Sequence, residues 1–344
     1  MTDIRARKAD HIELALQPKH QARYGAGFDR IRFEPNPLPQ ISLQDVEFNS
    51  YFLEMPVAAP FMIGAMTGGC DNGEIINQHL AEAAQACNIP MSVGSQRAAL
   101  EHGLPQNVRR WAPSAIVLGN LGATQLQQHG VDLAQRAVES VEANALVIHL
   151  NPLQELIQPN GDRNWNNVLE AIQHCAEKLN VPVIVKEVGA GIGPNSVKRL
   201  MDAGINWIEI SGRGGTNWAS IELARNRSER EKEIAGPFID WGMDTIEILP
   251  TVHTACPTLN FIGSGGVRNG LDIALCIRLG AKMTALAQPF LAPALISTEA
   301  VIEKISVFKE QLRWAMFLTG SQKLSDLRKA SLQKEVNKGE QGVE

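Results

Sequence analysis

A glycine-rich turn late in the chain has the composition of a phosphate-binding site. Residues 264–270 (SGGVRNG) follow an apolar run at 259–262 and precede a helical pattern at 271–279. Glycines at a strand-to-helix junction let backbone N–H groups approach an anion, and the helix start adds its positive dipole end. A second apolar run, 283–287, ends in Gln288. These two neighbouring ends predict a phosphate site, with a tight turn that binds nothing as the alternative.

Polar side chains end other apolar runs too, and a buried lysine is the most informative of them. Lys186 closes the run at 183–185 and needs a negative partner there, for which Glu187 is the obvious candidate. One interpretation is a structural Lys186–Glu187 pair at the surface. The other is a cation that stabilises the negative charge of an electron-rich cofactor ring, such as a reduced flavin. The remaining run ends carry an amide at Asn120 and hydroxyls at Thr67, Ser95, Ser211 and Thr216.

These residues need a scaffold that brings the ends of many strands together. Short apolar runs alternate with helix-length segments, which is typical of parallel βα units. Eight such runs predict a closed (β/α)8 TIM barrel. An open Rossmann sheet would carry a dinucleotide fingerprint at its first turn, and none is there. The active site is then expected at the carboxyl ends of the strands, which are the runs at 60–65, 91–94, 115–119, 145–148, 183–185, 207–210, 259–262 and 283–287.

Three regions follow from this division. Residues 1–57 are expected to form an irregular arm and a hairpin, the hairpin at 41–57 being split by Asn49 and Ser50. Residues 58–320 form the barrel, and residues 321–344 a short helix with a frayed tail. The long polar segment at 217–240, after the sixth strand, is either a lid over the site or a solvated helix.

Composition excludes several classes of protein. The formal charge of −5 argues against general nucleic-acid binding, which requires a basic face. Five scattered cysteines with no C-x-x-C pair predict reduced thiols and neither a disulfide framework nor a zinc site. The sequence contains no run of 18 apolar residues, so we expect no membrane span. The first residues lack the apolar core of a signal peptide. We therefore expect a cytoplasmic protein.

The order and spacing of several motifs resemble one family, the type 2, FMN-dependent isopentenyl diphosphate isomerases. The likeness extends from Arg7 to about Gln322. Each motif alone is weak, but their joint order and spacing are specific. The motifs are RKADH at 7–11, MTGG at 66–69, GSQR at 94–97, NLG at 120–122, HLNPLQE at 149–155, KEVG at 186–189, SGRGGT at 211–216 and SGGVR at 264–268.

The resemblance implies a role for each matching position. The flavin ring and ribityl chain would be surrounded by Ala65, Met66, Thr67, Ser95, Asn120, Lys186, Ser211 and Thr216. The FMN phosphate would be held by Gly265, Gly266, Val267, Ala287 and Gln288. The substrate, isopentenyl diphosphate, would be bound by Arg7, Lys8, Ser95, Arg97, His149, Asn151 and Gln154. Glu155 would bind Mg²⁺, and the protein would form a homotetramer or larger assembly. Related FMN barrels often carry a cation where this chain has Gln288.

The chemistry of the same residues fits these roles. Arg7 and Lys8 suit a mobile anion-binding arm, although a solvated charged terminus would look the same. Glu155 suits a site where Mg²⁺ is held by one carboxylate and substrate phosphate; the alternative is a carboxylate stabilised by a helix N-terminus. Arg97 is either a third cation for the diphosphate or an ordinary surface arginine.

The expected reaction is a 1,3-proton shift without net redox change. The strand ends offer no pair of carboxylates for acid and base catalysis, and the resemblance places a flavin there, so we infer that reduced FMN donates and accepts the protons. Lys186 would stabilise its anionic form, Gln154 would assist, and NADPH would reduce the flavin beforehand.

Three other functions remain open at this point. A 2-hydroxy acid oxidase shares the fold but needs a histidine base and an arginine for the carboxylate just after the sixth strand, where residues 211–216 contain no histidine. A nucleotide dehydrogenase of the inosinate type needs a nucleophilic cysteine, for which Cys70 is the nearest candidate. A phosphate-binding barrel without catalysis would carry the same glycine-rich turn.

Overall fold

The chain folds around a closed barrel of eight parallel strands. A computed structural model describes residues 2–66, 71–104, 106–226 and 228–334. The described strands are β1 Ile31–Phe33, β2 Ser50–Phe52, β3 Met55–Val57, β4 Phe61–Ile63, β5 Met91–Ser92, β6 Val117–Gly122, β7 Ala145–Leu150, β8 Val183–Glu187, β9 Trp207–Glu209, β10 Asn260–Gly263, β11 Met283–Leu286 and β12 Leu332–Lys334. Of these, β4 to β11 form the barrel.

Helices follow the barrel strands and surround them. They are α1 Thr2–Leu16, α2 Asp71–Cys87, α3 Arg97–His102, α4 Val108–Trp111, α5 Ala123–Ser140, α6 Pro152–Ile157, α7 Val168–Lys178, α8 Pro194–Asp202, α9 Trp218–Arg225, α10 Glu229–Ala235, α11 Thr245–Ala255, α12 Gly270–Arg278, α13 Gln288–Ala294, α14 Thr298–Leu318 and α15 Leu324–Leu327. Among the described residues, no helix combines the length and apolar composition needed to cross a bilayer.

The barrel closes through parallel pairing of β4 to β11 in the order β10, β11, β4, β5, β6, β7, β8, β9. The predicted (β/α)8 fold is confirmed. Three of the strands extend further than their apolar runs, so that Asn120, His149 and Lys186 lie on β6, β7 and β8 themselves. Strand pairing fixes these positions more firmly than loops would. Across β7, β8 and β9, His149 pairs with Lys186 and Lys186 with Glu209.

The β2–β3 hairpin closes the amino end of the barrel. Phe52 is fully buried and packs edge-on against Trp207, the first residue of β9, at 5.0 Å between ring centroids. The expected turn at Asn49 and Ser50 is wrong, because the turn is Leu53–Glu54, with φ of 50° and 66°. Positive φ at both turn residues matches the twist of a two-residue hairpin. Leucine and glutamate rarely adopt positive φ, so the sequence did not indicate a turn here.

The chain ends also differ from expectation. The stretch expected to be irregular begins with helix α1, which is rich in good helix formers such as Ala, Leu, Arg and Lys. After α15, strand β12 pairs antiparallel with β1, Phe33 facing Leu332. Residues 335–344 of the expected tail, with Thr67 and Cys70, lie outside the described residues.

Replacing Phe52 by Ala should lower the free energy of unfolding by about 3–5 kcal/mol, because a buried aromatic is lost and a cavity remains. Urea unfolding measures the change. Tyr51→Ala is the matched control, since the adjacent Tyr51 is 71% exposed and should cost far less. Equal losses for the two variants would show that the hairpin does not seal the barrel core.

Candidate active site

A single large cleft at the carboxyl end of the barrel collects the residues that the sequence singled out. Of that set, Thr67 lies outside the described residues and all the others line the cleft. They are Arg7, Lys8, Ala65, Met66, Ser95, Arg97, Asn120, His149, Asn151, Gln154, Glu155, Lys186, Ser211, Thr216, Gly265, Gly266, Val267, Ala287 and Gln288. The cleft also contains residues to which the sequence analysis gave no individual role, among them His11, Glu209, Trp218 and Arg268.

The glycine-rich turn after β10 has room only for glycine. Gly265 has φ of 98°, and a Cβ there would lie 1.9 Å from the carbonyl oxygen of Gly212. Gly266 has φ of 76°, and its Cβ would lie 2.4 Å from Gly214. Asn269 then caps α12 by accepting hydrogen bonds from two N–H groups of its first turn. Backbone therefore forms this wall of the cleft, as a close approach to an anion requires.

A cation lies beside this turn. Arg268 donates from Nη1 to Gln288 Oε1 and from Nη2 to Gln21 Oε1, each at 2.6 Å. Burial lowers the pKa of Arg268, but a guanidinium stays charged at any working pH. The positive charge that Gln288 lacks is thus supplied by Arg268, which hydrogen-bonds to that glutamine.

Lys186 has two partners: its Nζ donates to the backbone carbonyl of Glu187 at 2.5 Å, and its carboxylate partner is Glu209. Lys186 Nζ lies 3.6 Å from Glu209 Oε1, and both side chains are buried. The Lys186–Glu187 surface pair is wrong, because the Glu187 carboxylate instead accepts from the N–H groups of Gly189, Ala190 and Gly191. Burial raises the pKa of Glu187, and these three donors oppose that shift. The sequence could not identify Glu209, because only strand pairing places it beside Lys186.

A hydrogen-bonded chain fixes the ring of His149. Asn120 Nδ2 donates to the Val93 carbonyl at 3.0 Å, so its Oδ1 accepts from His149 Nδ1–H at 2.8 Å. Burial, and then the positive charges of Lys186 and Lys8, lowers the pKa of His149 to about 3. The ring is therefore neutral, with Nε2 left as a hydrogen-bond acceptor.

A second polar cluster joins α1, α6 and α9. The fully buried Glu222 accepts from His11 Nε2 at 2.8 Å and from Gln154 Nε2 at 3.1 Å, and Arg225 lies 2.8 Å from its other oxygen. Burial raises the pKa of Glu222. The interactions with His11, and then with Gln154 and Arg225, lower it by more, so the pKa lies below its ordinary value. Sequence reasoning missed Glu222, because its partners His11 and Gln154 lie 211 and 68 positions away in the chain.

The residues suited to a charged substrate lie nearby. Arg7 Nε is buried in the cleft region without a hydrogen-bond partner, as expected of a donor placed for an anion. Glu155, in the first turn of α6, accepts from Asn151 Nδ2 at 3.0 Å and from the Asp162 N–H at 2.8 Å. No group of three or more His, Cys, Asp or Glu in the described part of the chain could hold a metal ion.

Comparison with known proteins identifies the family. The sequence is 46% identical over 332 residues to the isopentenyl-diphosphate delta-isomerase of Pseudescherichia vulneris, covering 95% of this chain and 96% of that protein. It is 47% identical over 332 residues to the enzyme of the same name from Xanthobacter autotrophicus, with the same coverage. The chain belongs to the isopentenyl-diphosphate delta-isomerase family. The resemblance seen in the sequence is confirmed.

A match to a family model places the chain among FMN-dependent proteins, and solved structures show the same fold. The FMN-dependent dehydrogenase family matches residues 153–334, more than half of the chain. A flavocytochrome b2 variant superposes with a TM-score of 0.70 at 18% identity, over 98% of this chain and 85% of its own. A mandelate oxidase variant gives 0.65 at 18% identity, over 96% and 95%. At such identity these structures show a shared barrel and carry no argument about the reaction.

The cleft of this family member fits FMN. The Gly265–Gly266 backbone and Arg268 suit its phosphate, and Lys186 suits the negative charge of a reduced ring. Residues from both ends of the chain, Gln21 and Gln288, meet at Arg268. The cofactor expectation from the sequence is therefore supported by the family and by the site.

The lowered pKa of His149 predicts a loss of stability in acid. Between about pH 3 and 6.5 the unfolded chain binds a proton at His149 that the folded chain excludes, so the free energy of unfolding falls as the pH drops. From pH 7 to 5 this residue should contribute a loss of about 1–2 kcal/mol, allowing for the ring's partial exposure. Urea unfolding at both pH values measures it.

The control for this prediction is His174→Gln, since the His174 side chain is 59% exposed. This variant should keep the wild-type pH dependence, whereas His149→Gln should lose less stability on acidification. If the free energy of unfolding falls equally in His149→Gln and in the wild-type protein between pH 7 and 5, the folded protein protonates this ring as readily as the unfolded chain does.

Proposed function

We propose that the protein converts isopentenyl diphosphate to dimethylallyl diphosphate in isoprenoid biosynthesis, using FMN reduced by NADPH, and Mg²⁺. The observation that carries this proposal is the meeting, in one cleft, of a phosphate-binding turn, a buried lysine and a second group of cations beside Glu155. The relatives at 40–47% identity are named for this isomerisation. Two separate anionic groups, a cofactor phosphate and a substrate diphosphate, account for two separate sets of cations.

The proposed substrate diphosphate lies between α1 and α3. Arg7, Lys8, Ser95 and Arg97 all line the cleft. Guanidinium groups bind phosphate oxygens in pairs, and an ammonium adds a point charge. Glu155, with its two oxygens oriented by Asn151 and Asp162, would hold Mg²⁺ together with diphosphate oxygens and water.

The proposed acid and base chemistry follows from how the carboxylates are engaged. Glu209 pairs with Lys186, and Glu222 with His11 and Arg225, so each already has a cationic or N–H partner. When bound, reduced FMN supplies the group that exchanges protons with the substrate carbons. Lys186 favours negative charge on that ring, and Gln154, held by Glu222, orients the substrate alkene.

The arm and the segment at 217–240 are proposed to exclude water together. Two pairs join helix α9 to the arm. Glu222 of α9 lies 2.8 Å from His11, and Arg225 of α9 lies 3.1 Å from Asp10. Trp218 packs edge-on against His11 with ring centroids 5.2 Å apart, which covers the cleft with aromatic surface. A closed, dry site protects a carbocation-like species from water.

The 2-hydroxy acid oxidase alternative is less well supported. Residues 211–216 contain no histidine, and Arg213 is held by Asp244 at 2.6 Å. His253 does not line the cleft; it packs beside Phe261, with ring centroids 6.2 Å apart. Neither a histidine base nor a free arginine is therefore placed after β9 for a hydroxy acid.

We also propose a cytoplasmic location and a homotetramer or larger assembly. Four cysteines of the described chain, Cys87, Cys175, Cys256 and Cys276, are free thiols, which suits a reducing compartment. Light scattering of the purified protein tests the assembly.

Purified protein with FMN, NADPH and Mg²⁺ under anaerobic conditions should convert isopentenyl diphosphate to dimethylallyl diphosphate, because the flavin must be reduced and the diphosphate bound. Proton NMR of the product measures the conversion, and omission of each component is the control. Bleaching of the flavin by NADPH with no product would contradict the proposal and direct the search to 2-hydroxy acids.

Arg7→Ala with Lys8→Ala should raise KM for isopentenyl diphosphate by at least about tenfold, since two charge-assisted contacts are lost. FMN affinity, measured by fluorescence titration, should change by less than about twofold. Lys198→Ala with Arg199→Ala, at two adjacent exposed positions on α8, is the charge-matched control. Steady-state kinetics that match those of the wild-type enzyme would remove the arm from substrate binding.

A further inference from the structure

Asp162 lies in the loop after α6, where its carboxylate joins several segments. It accepts hydrogen bonds from Gln125 Nε2 at 2.9 Å, Gln128 Nε2 at 3.2 Å and, more weakly, Thr124 Oγ1 at 3.4 Å. Arg97 Nη1 donates to it at 3.2 Å. The three α5 donors fix the direction of the carboxylate independently of Arg97.

Arg97 is held at two points of its guanidinium. Nε donates to Glu101, one turn later on α3, at 2.9 Å, while Nη1 donates to Asp162. The Arg97 side chain is 33% exposed and lines the cleft. An arginine restrained in this way has lost most of its rotamer freedom before any anion arrives.

The same loop contacts the carboxylate proposed to hold Mg²⁺. The backbone N–H of Asp162 donates to Glu155 Oε2 at 2.8 Å. A Cβ on Gly161 would lie 2.0 Å from the carbonyl oxygen of Glu155, so the loop is pressed against α6. Asp162 therefore touches Arg97 through its side chain and Glu155 through its backbone.

We propose that Asp162 is a positioning residue that aims Arg97 at the substrate diphosphate, an inference that rests on the proposed function. Because the side chain and the backbone of Asp162 serve different partners, the two effects can be separated. Asp162→Asn removes the charge that restrains Arg97 and keeps the N–H that orients Glu155. A carboxylate that merely neutralised Arg97 would have the opposite effect: it would weaken diphosphate binding, and its removal would lower KM.

The experiment uses the FMN-loaded full-length protein. Asp162→Asn should raise both KM and the calorimetric Kd for isopentenyl diphosphate with Mg²⁺ by about five- to tenfold, since an arginine must then be ordered on binding. kcat and the Mg²⁺ concentration for half-maximal activity should stay within about twofold. Glu101→Gln is the matched control, because it removes the more exposed carboxylate from the same guanidinium and should have little effect.

A double-mutant cycle distinguishes positioning from general structural support. If Asp162 acts through Arg97, Asp162→Asn adds nothing to the KM or Kd of Arg97→Ala. Full additivity of the two changes, or a lower KM in Asp162→Asn alone, would overturn the inference. Asp162→Glu, which keeps the charge but displaces it, should give an intermediate Kd and serves if the Asn variant does not fold. A wild-type protein that neither binds nor converts isopentenyl diphosphate refutes the proposed function instead.

Discussion

The pairing of buried charges at the carboxyl end of the barrel is the constraint on which the site depends. A lysine or carboxylate removed from water is costly unless it meets an opposite charge or several hydrogen-bond partners. Lys186 meets Glu209, Glu187 meets three backbone N–H groups, and Glu222 meets His11 and Arg225. Lys186 and Glu209 lie on neighbouring barrel strands, and His11 and Glu222 lie on different helices, so these pairs stay in place only while the barrel is closed.

The same pairing determines what remains free for chemistry. Since the carboxylates around the cleft are engaged, donors and acceptors that face the cleft are mostly neutral or cationic, such as the His149 ring and Arg7. An environment of this kind favours bound anions over proton transfer by side chains. Family membership and site chemistry therefore agree on a barrel that binds phosphate groups and relies on a cofactor.

Local sequence patterns predicted the barrel and most of the cleft lining because those features are local. Apolar runs located all eight strands, and Gly265 and Gly266 marked the turn by their residue type. Contacts between distant residues could not be predicted: Glu222 and His11 are 211 positions apart, and Glu209 reaches Lys186 only through strand register. The hairpin turn at Leu53 and Glu54 was misplaced because neither residue type favours the backbone conformation that it adopts.

The antiparallel pairing of β1 with β12 has a consequence for the order of folding in the cell. The arm that carries Arg7 and Lys8 leads into β1, which precedes all eight barrel strands, whereas its partner β12 follows all of them. Domains generally fold from the amino terminus during synthesis. Here the anchor of the arm can form only after all eight barrel strands have been made, so a nascent chain contains the whole barrel before this end of the arm is tied down.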